Sequence, residues 1–153
     1  MYLPDWIQKC ISALEDAGFA AYAVGGCVRD SLLGLTPQDY DLCTNALPEQ
    51  TKAVFQDYRL VLAGEKHGTV TVVTPEGKVE ITTFRTEGGY RDSRHPDWVK
   101  FVPDIEGDLA RRDFTVNAMA YSPTRGFADP FGGQADLQNH ILRAVGNPET
   151  RFR

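Results

Sequence analysis

Hydrophobic and polar positions divide the chain into short elements of two different periods. Trp6, Ile7, Cys10, Ile11 and Leu14 recur at helical spacing, after a Pro4-Asp5 start and before Gly18, a residue suited to ending a helix. Residues 19–24 read as a short buried strand. Gly25-Gly26 breaks it, and a short helix is predicted over 27–34. A second strand is predicted over 39–44. Pro48 suits the first turn of a helix reaching about residue 58. Residues 60–63 predict a short strand. The β-branched run 69–73, the turn Pro75-Glu76-Gly77-Lys78 and the return over 79–85 predict a hairpin. Gly88-Gly89, Pro96 and many charges mark 86–98 as a mobile loop. A strand over 99–102, a helix over 104–111 capped by Asp104, and a strand over 119–121 follow. The turn-rich stretch 129–133 leads to a last helix and the apolar residues 141–145. The pattern predicts an α+β fold: a mixed, largely antiparallel sheet with helices packed on one side.

Composition adds few constraints. A chain of 153 residues, 42% hydrophobic, is enough for one domain with a real core. No apolar run approaches the roughly 20 residues of a membrane span, and the N-terminus has no signal-peptide pattern. The expectation is a cytoplasmic protein with no membrane partner. Cys10, Cys27 and Cys43 are odd in number and form no Cys-x-x-Cys, which suits buried fillers in a reducing compartment. His67, His95 and His140 form no His-x-x-x-His pair, so a helical zinc site is unsupported. The net charge of −5 argues against a dedicated nucleic-acid binder, but the charges are unevenly spread. Residues 1–80 carry 6 basic and 11 acidic side chains; residues 81–153 carry 10 of each, including Arg85, Arg91, Arg94, Arg111 and Arg112. An acidic half joined to an arginine-bearing half suits a site that meets both metal ions and phosphates, although a solvated mixed surface also accounts for most of these charges.

Three segments carry candidate chemistry. Asp39 and Asp41, at i and i+2 of a predicted strand, fall on one face roughly 6–7 Å apart at the backbone. That spacing lets two carboxylates share one divalent ion or bracket two, and oxygen ligands favour magnesium. A polar surface turn is the plain alternative. Gly25-Gly26 between a strand and a helix can bring backbone N–H groups against a phosphate, with Arg29 one turn further on. An ordinary strand-to-helix turn would look the same, and neither a Walker loop nor a dinucleotide fingerprint is present. Glu80 alternates with Val79 and Ile81, so it faces away from them as a candidate third carboxylate and base. Arg111-Arg112-Asp113 could contact phosphate and a ribose hydroxyl, or simply close a helix.

Taken together, Gly25-Gly26-x-Val28-Arg29-Asp30-x-Leu32-Leu33-Gly34 leading to Asp39-x-Asp41, and Arg111-Arg112-Asp113-Phe114-Thr115-x-Asn117-Ala118, resemble the catalytic head of the bacterial class II tRNA nucleotidyltransferase (CCA-adding) and poly(A) polymerase family. The resemblance runs from about Phe19 to the last residue. It implies a polymerase-β-like nucleotidyltransferase head over 1–137, with the hinge and start of a truncated neck over 138–153. It implies catalytic roles for Asp39, Asp41 and Glu80, with Asp39 and Asp41 holding Mg2+, two ions in all. It implies nucleotide contacts from Gly25, Gly26, Arg29, Arg111, Arg112 and Asp113. The implied reaction transfers CMP or AMP from CTP or ATP to the 3′ end of tRNA. Adding A alone, poly(A) tailing of other RNA ends and a non-catalytic nucleotide-binding module are the alternatives. Residues 86–98 resemble the family's flexible loop associated with adding A. The family's base-selecting Glu-Asp-x-x-Arg follows a segment like 146–152, where this sequence stops, so the expectation is a fragment without the base-selecting helix and the tRNA-holding domains.

Overall fold

A computed structural model describes residues 1–88 and 98–146. The central part of the predicted loop and residues 147–153 lie outside the described residues, as do Arg91, Arg94 and His95. Helix α1 (Asp5–Asp16) forms where the helical spacing places it and buries Ile7, Cys10, Ile11 and Leu14 along one stripe. Each large aliphatic on that stripe contributes about 1.5–3 kcal/mol by leaving water. Strand β1 (Ala21–Val24) follows, then helix α2 (Gly26–Leu32), strand β2 (Tyr40–Thr44) and helix α3 (Pro48–Val54). Helix α3 stops four residues before the predicted end. Phe55 leaves helical geometry at φ −107°, is buried in the core, and accepts a turn hydrogen bond from Tyr58 N–H.

Strands β3 (Arg59–Val61), β4 (Thr69–Val73) and β5 (Lys78–Thr83) complete one half of the sheet; β4 and β5 form the expected hairpin. Strands β6 (Arg85–Gly88) and β7 (Trp98–Phe101) pair antiparallel as a separate ribbon, so the ends of the predicted loop are strand rather than loop. Helix α4 (Ile105–Leu109) is capped as expected by Asp104, whose carboxylate accepts from Gly107 N–H at 2.7 Å. It ends before Arg111, because the next two amides fold back into tighter bonds to Asp108 and Leu109 carbonyls. Strand β8 (Ala120–Ser122) pairs with β9 (Gly126–Ala128), an element the pattern did not predict, and α5 (Gly133–Gln138) follows.

Seven strands form one sheet in the order β3-β4-β5-β2-β1-β8-β9. Every neighbouring pair is antiparallel except β2 and β5, which run parallel. A parallel neighbour requires a crossover, which α3, β3 and β4 supply. The helices do not all lie on one side. Ala21, Ala23, Tyr40, Leu42, Val79 and Ile81 meet α1 on one face, while Tyr22, Val24 and Cys43 meet Phe84, Ile105 and Leu109 on the other. Alternation on the central strands sends apolar side chains to both faces, so both need cover, and α4 covers the second. No described helix is long and apolar enough to cross a membrane.

Candidate active site

The second face of the sheet changes character along β2. Cys43 lies in its apolar core, opposite Tyr22 on β1 and Thr82 on β5. Two residues earlier, the same face carries Asp41, opposite Val24 on one side and Glu80 on the other. Because β2 and β5 run parallel and in register, the two carboxylates stand beside each other on adjacent strands, about 4.8 Å apart at the backbone. Tyr40 points the opposite way into the core, against the edge of Trp6. Asp39 is not a strand residue. It lies one position before β2 and reaches the site from the connection after α2.

Two clefts meet at these acids. One, of about 690 Å³, is lined by Asp39, Asp41 and Glu80 with Thr71, Lys78 and Arg85. The other, of about 490 Å³, is lined by Asp39 and Asp41 with Gly26, Cys27 and Asp30. Solvent reaches Asp41 through these openings, yet the protein around it pushes its carboxyl up to about 6. Burial is the largest cause; the charges of Glu80 and Asp39 add to it and Arg112 opposes it. A set of acceptor-only oxygens that repel one another fits a divalent cation, which removes the repulsion. Among the described residues no three His, Cys, Asp or Glu side chains close into a ready-made cage.

The glycine turn borders the smaller cleft. Gly25 caps α2 at φ +73°, a conformation that a side chain strains, and its N–H donates to Met119 O at 3.3 Å. Gly26 occupies the first helical position, where an N–H has no partner within the helix. A Cβ on Gly25 would lie 3.3 Å from Arg112 Nη1, and one on Gly26 would lie 3.4 Å from Arg29 Nη2. Both arginines therefore lean on the turn. Arg29 donates to Asn117 Oδ1 at 2.9 Å and to Asp30 Oδ1 at 3.1 Å. Arg112 donates through Nη2 to Asp108 Oδ1 at 3.2 Å, and Arg111 Nε stands 3.7 Å from Asp108 Oδ2.

Of the nine expected site residues, Asp39, Asp41, Glu80 and Gly26 line the clefts, and Gly25, Arg29 and Arg112 adjoin them through the turn. Arg111 shares the Asp108 carboxylate with Arg112 but lines neither cleft. Asp113 is exposed, lines neither cleft, and holds the chain with its carbonyl, which accepts from Val145 N–H at 2.9 Å. Two residues escaped sequence reasoning. Asp108 has a readable signal, an acid three and four residues ahead of two arginines. Asn117 stands in the second motif, but nothing there signals its partner, because it meets Arg29 across 88 residues of chain.

Comparison with known proteins agrees with this geometry. Residues 21–143 match the family model described as the poly A polymerase head domain. The chain belongs to that family. It is 51% identical over 153 residues to a CCA-adding enzyme of Lactobacillus helveticus, covering 98% of this chain and 38% of that protein. The CCA-adding enzyme of Streptococcus thermophilus is 50% identical over 154 residues, covering 99% and 38%. Among solved structures, the Bacillus stearothermophilus CCA-adding enzyme in complex with CTP superposes with a TM-score of 0.86 at 43% identity, over 100% of this chain and 36% of that one. The Thermotoga maritima CCA-adding enzyme complexed with tRNA matches with a TM-score of 0.71 at 27% identity, over 93% and 32%. The chain thus spans a little over a third of the length of the curated relatives it matches. The α+β fold and the head-domain family expected from the two motifs both hold.

Proposed function

We propose that this chain is the catalytic head of a tRNA nucleotidyltransferase that adds CMP and AMP, from CTP and ATP, to the 3′ end of tRNA. The observation that carries the reading is the in-register pair Asp41 and Glu80, with Asp39 on the same cleft, beside a glycine turn backed by two arginines. The smaller cleft, bordered by Gly26, takes the triphosphate. Arg29 and Arg112 steady its charge from behind the turn, and Arg111 and Asp113 extend the grip toward the sugar. The larger cleft, on the Glu80 side, takes the RNA terminus. Asp39 and Asp41 hold magnesium, two ions in the complete site. When bound, such ions make the hydroxyl a better nucleophile and neutralise charge on the phosphates. Glu80 accepts the proton of the terminal ribose hydroxyl as its oxygen bonds to the α-phosphorus. The bond from that phosphorus to the β,γ-diphosphate oxygen breaks, and pyrophosphate leaves. Residues 1–137 form the head and 138–153 begin the connection to the neck. The reaction belongs to the cytoplasm, where its RNA substrate is found.

Tailing of other RNA ends is the second reading, since the matching family model is named for poly A polymerase. The names of the relatives that align along nearly the whole chain favour CCA addition. The test grafts residues 1–146 in place of the corresponding head of the Bacillus stearothermophilus enzyme and supplies tRNA lacking its CCA end. A defined three-nucleotide extension, lost with Asp41→Ala, supports the proposal. A long ladder indicates tailing, and a folded chimera without any incorporation refutes the enzymatic reading.

A further inference from the structure

Among the described residues, the most confined charge lies outside the acid pair. Asp108 is 0% exposed, in the last turn of α4 under the second apolar core. A carboxylate in such a place must be matched by donors, or its burial costs several kcal/mol. Two segments supply its partners, the adjacent Arg111 and Arg112 on one and Arg85 on the other. Arg112 Nη2 lies 3.2 Å from Oδ1, Arg111 Nε lies 3.7 Å from Oδ2, and the backbone N–H of Arg85 donates to Oδ2 at 3.1 Å. Arg85 begins β6 and its side chain lines the larger cleft, where it donates to His67 O.

Each contact leads back to the site. Arg112 is four-fifths buried and aims Nη1 at the turn residue Gly25, on the side of the sheet where its charge also acts on Asp41. Left alone, two adjacent arginines would repel each other and turn to solvent. The shared carboxylate cancels one of the two charges and holds the other guanidinium in place behind the turn. The same carboxylate fixes the start of β6, and so the wall of the larger cleft. The two clefts are therefore tied to a single buried oxygen pair.

We infer that Asp108 is a positioning residue: it touches neither nucleotide nor RNA, and it holds Arg112 ready behind the Gly25-Gly26 turn before a triphosphate arrives. This rests on the reading of that turn as the triphosphate seat. The test titrates the 153-residue chain with Mg–CTP and Mg–ATP by calorimetry, comparing wild type, Asp108→Asn, Arg112→Ala and the double variant. Asp108→Asn keeps size and one acceptor but removes the charge. The expected result is a loss of affinity of at least about tenfold for each single variant. The double variant should be no weaker than Arg112→Ala alone, because the two residues act through one contact.

The outcomes separate. If Arg112→Ala binds as wild type, the triphosphate seat itself is wrong and the inference falls with it. If Arg112→Ala weakens binding while Asp108→Asn does not, the seat stands and Asp108 is only structural. Additive losses in the double variant also refute positioning through Arg112. Should Asp108→Asn fail to fold, the side-chain Nε–Hε signal of Arg112 in the wild-type chain decides the matter. An ordered signal before nucleotide is added supports the inference; order that appears only on binding overturns it.

Discussion

The acid and arginine sides of the site are built in opposite ways. Asp41 and Glu80 are solvent-accessible side chains standing against each other, with Asp39 adding a third negative charge and Arg112 opposing it at Asp41. Across the glycine turn, Arg29 is held by Asn117 and Asp30, while Arg111 and Arg112 share the fully buried Asp108. One side is left with like charges facing each other, and the other has its charges paired in advance. The difference matches what each side receives under the proposed function. A magnesium ion brings its own charge and waters and needs only open oxygens. A triphosphate is bound most effectively by donors already in place, since ordering them at the moment of binding costs affinity.

The comparison breaks most directly at Asp41. Replacing it with alanine in the grafted enzyme should lower incorporation more than about a thousandfold, while the circular dichroism spectrum stays that of the parent. A smaller loss would mean that the open acids are not where the chemistry occurs. On the opposite side, Gly25→Ala places a Cβ at φ +73° and 3.3 Å from Arg112 Nη1. The strain should cost roughly 1–2 kcal/mol in a denaturant melt, and Mg–CTP affinity should fall about tenfold as Arg112 is displaced. Unchanged affinity would mean that the arginine behind the turn has no part in binding.

Asn117→Ala removes the donor-ordering partner of Arg29 but leaves Asp30. Arg29 is 36% exposed, so the weakening of Mg–CTP binding should be only about threefold, read by the same calorimetry. The last effect is on pH dependence. Asp41 titrates near 6 in the folded chain, above the ordinary carboxylate value. The folded state therefore binds that proton more tightly than the unfolded chain does. Its stability falls as pH rises from about 4 through 6, and the penalty is complete above that window. Without divalent cations, Asp41→Asn should melt a few degrees higher than wild type at pH 7.5, with the difference vanishing near pH 4. Adding Mg2+ should close the gap by stabilising only the wild type. A variant less stable than wild type at pH 7.5 would indicate that the acids are matched within the fold.

How much was legible depended on distance along the chain. Helix α1, the β4–β5 hairpin and the Asp104 cap are local events, set by periodicity and turn residues within a few positions. The early end of α3 at Phe55 was missed because it answers to the distant core below Phe55, whereas β9 was missed although its partner β8 is a hairpin neighbour, Ser122 pairing with Gly126. Asp39 and Asp41 were read from their spacing, and their shared cleft agrees, although Asp39 reaches it from outside the strand. The helical cover on the second face followed from alternation on β1 and β2, which one-dimensional patterns register only as continuous burial.

Residue order alone determined which groups of each kind exist and which neighbours they share a face with: two acids two positions apart, a paired glycine bend, two adjacent arginines. It also determined the family, since residues 21–143 match the family model from sequence alone. Only the three-dimensional arrangement decided that β5 lies parallel beside β2, so that Glu80 meets Asp41, and that Asp108 lies under both arginines while facing the start of β6. Strand pairing and buried charge matching are set by total burial and by the cost of leaving any carboxylate or amide unmatched in the interior. Those costs are summed over the whole fold, and no window of sequence contains them.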